Sequence, residues 1–149
     1  MELPTEIIKD FEKINGNADK IFKEMTKAGA EAVAANVKAT VPNKDLASYV
    51  RVSRPYETPS DGGVNTKVYF SGYIPFKGKR KTFQRRGNGG TVYKTSKGVP
   101  AAFIAQLYEY GRSTAPFPKR PFFRKAFNKQ KIEAAMLEAQ KKASGGILK

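Results

Sequence analysis

The chain has 149 residues and a formal charge of +15, from 28 basic and 13 acidic side chains, and contains neither cysteine nor histidine. Such a length favours one domain whose core folds without a disulfide or metal staple. The missing residue types exclude disulfides, zinc–thiolate sites and every mechanism that uses imidazole as base or ligand.

Thr5 is placed to cap a short helix, with Glu6 in its first turn on the favourable side of the helix dipole. Ile7, Phe11 and Ile14 share one face of it. Asn15-Gly16-Asn17 is expected to break this helix, because both residue types tolerate the left-handed conformation that ends helices. The charges within Met1 to Asp10 are incompatible with a signal peptide, so the protein is expected to be made in the cytoplasm and to stay there unless a particle carries it out. A longer helix then runs from about Ala18 to Thr40, closed by Pro42, over roughly 35 Å. Its apolar face holds Ile21, Met25, Ala28 and Ala32, widened by Phe22, Gly29, Val33 and Val37. Small residues along it let another backbone approach, and packing on a sheet is its expected role.

Leu46 to Arg54 alternates like a strand, and Pro55 to Gly63 has the composition of a loop. Val64 to Ile74 is a second strand region, with Val68 and Phe70 on one face, Tyr69 on the other, and Gly72 as a bulge. Pro75 to Gly98 reads as a long β-hairpin arm or an irregular loop, with Thr91, Val92 and Tyr93 in its returning strand. No acidic residue occurs from Gly62 to Tyr108. Ala101 to Tyr110 is apolar, and its periodicity fits a short helix or a buried strand. Gly111 to Pro118 is a turn-rich connector. A C-terminal helix is expected from Pro121, with Phe123, Phe127, Ala134 and Leu137 on one face, Lys141 and Lys142 near its end, and Gly145-Gly146 as its stop. Residues 144–149 form a frayed tail, and no internal repeat is present. The longest apolar run, Val99 to Ala105, is too short to span a bilayer.

Enzymatic motifs fail on inspection. Gly72 to Lys79 has the outline of a phosphate-binding loop, but the spacing is one residue too long, Arg80 stands where magnesium needs a hydroxyl, and Pro75 interrupts it. Gly87, Gly89 and Gly90 open no helix, so no dinucleotide fingerprint exists. Glu109 is the only acidic residue between Asp61 and Glu133, which leaves no neighbouring carboxylate for paired acid–base chemistry. An ion pair with Arg120 or Arg124 is its expected use. No catalytic, cofactor-binding or metal-ligating residue is assigned, and no cofactor is expected.

The strongest binding signal is basic. Lys77, Lys79, Arg80, Lys81, Arg85, Arg86, Lys94 and Lys97 are interleaved with Phe76, Phe83 and Tyr93. Such residues neutralise phosphates and stack on unpaired bases. They serve equally well in an arm that packs on a neighbouring subunit. A free nucleic-acid-binding protein using the 75–98 arm is therefore the alternative function.

Leu107-Tyr108-Glu109-Tyr110-Gly111, followed by Phe117 to Phe127 with Arg120, Pro121, Phe122, Phe123 and Arg124, resembles the tailed-bacteriophage neck and tail-completion family, whose members join head to tail. In that family an apolar strand ends in Glu, an aromatic residue and Gly, and a short loop leads to a Pro-Phe-x-Arg-x-Ala helix start. Val41-Pro42 and Leu46-Ala47-Ser48 extend the likeness more loosely; Lys44-Asp45 departs from the family's Thr-Gly, and the basic insert exceeds its minimum. The resemblance implies an α+β fold, with long N-terminal and C-terminal helices packed on a small curved antiparallel β-sheet and a basic loop or hairpin arm. It gives Glu109, Tyr110, Gly111, Arg120, Pro121, Phe122, Phe123 and Arg124 architectural roles. It implies a non-enzymatic virion subunit that forms a six-fold or twelve-fold ring, with head-connector and tail-terminator or tube proteins as partners, possible contact with packaged DNA, and no membrane.

Overall fold

The computed structural model describes residues 5–60, 62–75, 82–87, 90–95, 98–112 and 117–145. The fold is α+β. It comprises helices α1 (Thr5–Thr40), α2 (Lys44–Ala47), α3 (Ala101–Tyr110) and α4 (Lys129–Ala143), and strands β1 (Val50–Val52), β2 (Tyr56–Glu57), β3 (Val64–Asn65), β4 (Val68–Phe70), β5 (Tyr73–Ile74), β6 (Thr82–Gly87), β7 (Gly90–Thr95) and β8 (Val99–Pro100). A single 3₁₀ turn, Arg124–Ala126, precedes α4. In place of one curved sheet, the described strands form four two-stranded ladders: β1 with β4, β2 with β3, β5 with β8, and β6 with β7.

Helix α1 is continuous over 36 residues, about 54 Å at 1.5 Å per residue. Asn15-Gly16-Asn17 does not break it. The apolar period explains this: positions 7, 11, 14, 18, 21, 25 and 28 keep one phase straight through the break signal. Against that, one interior glycine costs only about 1 kcal/mol. The buried stripe is also rotated from the expected one. Ile21, Ala30, Val33, Ala34 and Val37 are buried, whereas Phe22 is 53% exposed.

Backbone contacts group the chain into two compact units. The first contains residues 1–36, 52–68 and 126–149. Here Gly29 of α1 lies against α4: a Cβ on it would lie 3.0 Å from Met136 Cγ. The small residues thus admit a helix. The inward face of α4 carries half-buried Ile132, Ala135, Met136 and Ala139, not Phe127 and Leu137, which are exposed. Asn36 donates its amide N–H to the Ala126 carbonyl at 3.1 Å. The β2–β3 hairpin pairs Tyr56 with Asn65 and Glu57 with Val64, so part of the segment expected to be loop is strand. It is tied to α1 by the Lys23–Glu57 ion pair at 3.2 Å and by the hydroxyls of Thr66 and Thr26 at 3.3 Å.

One further correction concerns the start of α4, whose end is as expected. Pro121 does not start the C-terminal helix. Asn128 does, its side-chain oxygen accepting the Lys131 N–H at 3.2 Å. The helix stops at Ser144 and Gly145, with Lys141 and Lys142 in its last turn.

The second unit contains residues 37–51 and 69–125. Val37, Val41, Leu46, Val50, Ala101, Ala105 and Phe122 form its core. The start of the segment read as strand is instead helix α2, because Asn43 caps it by accepting the Asp45 N–H and turns Leu46 fully inward. Ala101 to Tyr110 is helical, not the strand of the family pattern. Ala101, Ala105 and Glu109 are buried at a spacing of four, and nearly every residue of the segment is a good or neutral helix former. In the β5–β8 ladder Tyr73 pairs with Pro100 and Ile74 with Val99. Gly98 enters that ladder at φ +152°, where an added Cβ would fall on the Ile74 carbonyl oxygen. Gly98→Ala is therefore expected to destabilise the protein by about 2 kcal/mol or more. Urea unfolding checks this, and an unchanged midpoint would refute it.

Candidate functional site

The described part of the basic arm is the β6–β7 hairpin, paired from Thr82↔Thr95 to Gly87↔Gly90. Arg85 stands opposite Val92, Arg86 opposite Thr91, and Lys94 opposite Phe83. Lys77, Lys79, Arg80, Lys81 and Lys97 lie outside the described residues. The register leaves two residues between the strands, Asn88-Gly89. Asn-Gly is the preferred dipeptide of two-residue hairpins, a signal that outweighs the loop-like glycine content of the segment. Among the described residues neither strand pairs with any other, so both outer edges lack a β partner.

The residues of the Glu-Tyr-Gly and Pro-Phe-Phe-Arg segments converge on one carboxylate. Glu109 is 8% exposed on the inner face of α3. Its Oε2 accepts the backbone N–H groups of Phe122, at 2.9 Å, and Phe123, at 3.0 Å. Its Oε1 lies 3.4 Å from Arg124 Nε, an ion pair rather than a hydrogen bond, so Arg124 and not Arg120 is the charged partner. The Arg124 guanidinium also sits 5.4 Å from the Tyr110 ring centre. Arg120 contributes its backbone N–H, which donates to the Tyr108 carbonyl at 2.7 Å. Gly111 turns the chain out of α3 at φ +76°, and a Cβ there would crowd the Phe117 carbonyl at 3.0 Å. Pro121 places Phe122 in the core, edge-on to Phe70 at 6.0 Å, with Phe123 at 6.2 Å from the same ring.

The cluster is a clamp on the chain. A buried carboxylate that accepts two N–H groups orders a loop that would otherwise leave those donors unpaired. Among the described residues no group of three or more acidic, His or Cys side chains could hold a metal, and no helix is long and apolar enough to cross a membrane. A groove of about 520 Å³ in the first unit has an alanine floor and a rim of the Lys27–Glu31 and Lys142–Glu138 pairs. The Lys142 hydrogen bond and charge hold the Glu138 carboxyl below its ordinary range. These are i, i+4 pairs on solvated helix surface. For the clamp, Glu109→Ala should cost about 2–4 kcal/mol, because two backbone donors lose their acceptor. Arg124→Ala should cost less than about 1 kcal/mol, since the arginine is largely exposed. Chemical denaturation of both variants checks the ranking, and equal losses would assign the stability to the ion pair instead.

No curated protein and no solved structure matches the chain. A family model described as "Bacteriophage HK97-gp10, putative tail-component" matches residues 5–111. That span includes α1, every described strand, the basic hairpin, α3 and the Glu-Tyr-Gly turn, while Phe117 to Phe127 lies beyond it. With most of its length matched, the chain belongs to the HK97-gp10-like family of bacteriophage proteins.

Proposed function

We propose that this protein is a non-enzymatic structural component of a bacteriophage tail, a single neck domain whose copies form a ring joining the head connector to the tail. Membership of a family described as a tail component supports the structural role. The observation that carries the assembly role is the β6–β7 hairpin. An isolated two-stranded hairpin is marginal in water, and an unpaired edge is a ready site for another strand. Two strands of six residues with both outer edges unpaired among the described residues suit an element that completes its bonding on a neighbour. Its location inside the acid-free stretch from Gly62 to Tyr108 directs it toward acidic protein surfaces or DNA in the particle. The protein then resides in the virion after assembly in the host cytoplasm.

Light scattering of the purified chain across salt concentrations, alone and with head-connector and tail proteins, tests this. A ring-sized species is expected, formed by the chain itself or driven by those partners. Replacing residues 82–95 with a short Gly-Ser link should abolish the ring while leaving a folded monomer. A chain that stays monomeric with every partner would refute the assembly reading. Loss of DNA binding with assembly intact would favour the free nucleic-acid-binding protein.

A further inference from the structure

The second unit holds a concavity of about 540 Å³ lined by Lys119, Arg120, Lys125, Thr40, Pro42 and Phe122, among others, with no carboxylate. All three cationic side chains are exposed, and among the described residues none has an acidic partner. Of the carboxylates that flank these residues in sequence, Glu109 is engaged with Arg124 and two backbone N–H groups, and Glu133 is paired with Lys129. Thr40 is the last residue of α1, so the helix C-terminus adds about half a unit of negative charge there. Three positive charges exceed that several-fold, so the concavity carries a net positive field that attracts anions.

We propose that this concavity is a contact site for the phosphodiester backbone of DNA, separate from the hairpin arm. Two observations favour DNA over an acidic protein. Protein interfaces draw their affinity from large apolar side chains offered at the surface. Here the one large apolar lining residue, Phe122, is 2% exposed and already spent on the core, whereas the exposed aromatics of this unit, Tyr69, Tyr73, Phe103, Tyr110 and Phe117, do not line the concavity. Contact with phosphates requires only unpaired cations on a fixed frame. The frame exists: the Arg120 N–H is bonded to the Tyr108 carbonyl and the Phe122 and Phe123 N–H groups to Glu109, so the cationic side chains project from an anchored backbone. The site lies largely on residues beyond the span shared with the family model, and it does not require the ring.

The test is the binding of a short labelled DNA duplex to the full-length chain, by fluorescence anisotropy over a salt series. Three variants are compared with the wild type: Lys119→Gln/Arg120→Gln/Lys125→Gln, an arm variant Arg85→Gln/Arg86→Gln/Lys94→Gln, and a charge-matched control Lys20→Gln/Lys131→Gln/Lys141→Gln. The first should lower the slope of log K against log[salt] by about 2–3 and weaken binding roughly ten-fold or more at moderate salt. The control should change affinity by much less. Circular dichroism melting confirms that each variant is folded, since every substituted side chain of the first set is exposed. Equal losses in the first variant and the control would reduce the effect to net charge and overturn the site. So would an unchanged slope, a wild-type chain that ignores the duplex, or tighter capture of polyglutamate through the same three residues. Because the readout is the monomer on DNA, its failure is distinct from failure of ring assembly.

Discussion

The Glu109 carboxylate reaches thirteen residues forward in the chain to hold the N–H groups of Phe122 and Phe123, and the architecture of the second unit follows from that reach. A carboxylate taken from water at this depth needs compensation: two N–H donors satisfy Oε2, and the Arg124 charge faces Oε1, which accepts no hydrogen bond among the described residues. In return the segment after Phe117 is fixed against α3. Phe122 can then enter the core against Phe70, and the Arg120 N–H finds the Tyr108 carbonyl. Beyond the clamp the chain makes one 3₁₀ turn, and α4 begins at the Asn128 cap.

What could be read from the sequence follows the strength of each local signal. The end of α1 before Pro42, the lysines in the last turn of α4 and the return of the hairpin through Thr91 to Tyr93 were legible, because each rests on one residue type with a strong backbone preference. The continuity of α1 was less so, since the Asn-Gly-Asn signal is local and the apolar phase that overrides it is seen only over about six turns. Asn43 and Asn128 are short capping signals inside segments whose prolines and apolar alternation pointed elsewhere. The family pattern suggested a strand at Ala101 to Tyr110, but burial every fourth residue is a helical requirement. Fragmentation into two-stranded ladders was not legible at all, because pairing partners such as Ile74 and Val99 are brought together by the fold and not by local composition.

The candidate sites divide in the same way. That Glu109 would meet an arginine was readable from its isolation among basic residues; that its main work is on backbone N–H groups was not, because main-chain donors carry no residue signature. Likewise Lys119, Arg120 and Lys125 are visible as charges in the sequence, but only the fold shows them around one concavity with Thr40, a residue 79 positions earlier in the chain than Lys119.

The outer edges of the β6–β7 hairpin, unpaired among the described residues, have a consequence for the free protein. Exposed strand edges invite indiscriminate stacking of chains into aggregates, and natural proteins guard them with lysine, arginine and glycine. Arg85, Arg86 and Lys94 within the strands, with glycines at Gly87 and Gly90, supply that guard. Like charges on two free copies repel, so edge-to-edge stacking of identical arms is opposed in dilute solution. In the proposed assembly a surface that offers negative charge would remove the repulsion, so the positive charge of the arm would delay pairing until that surface is present.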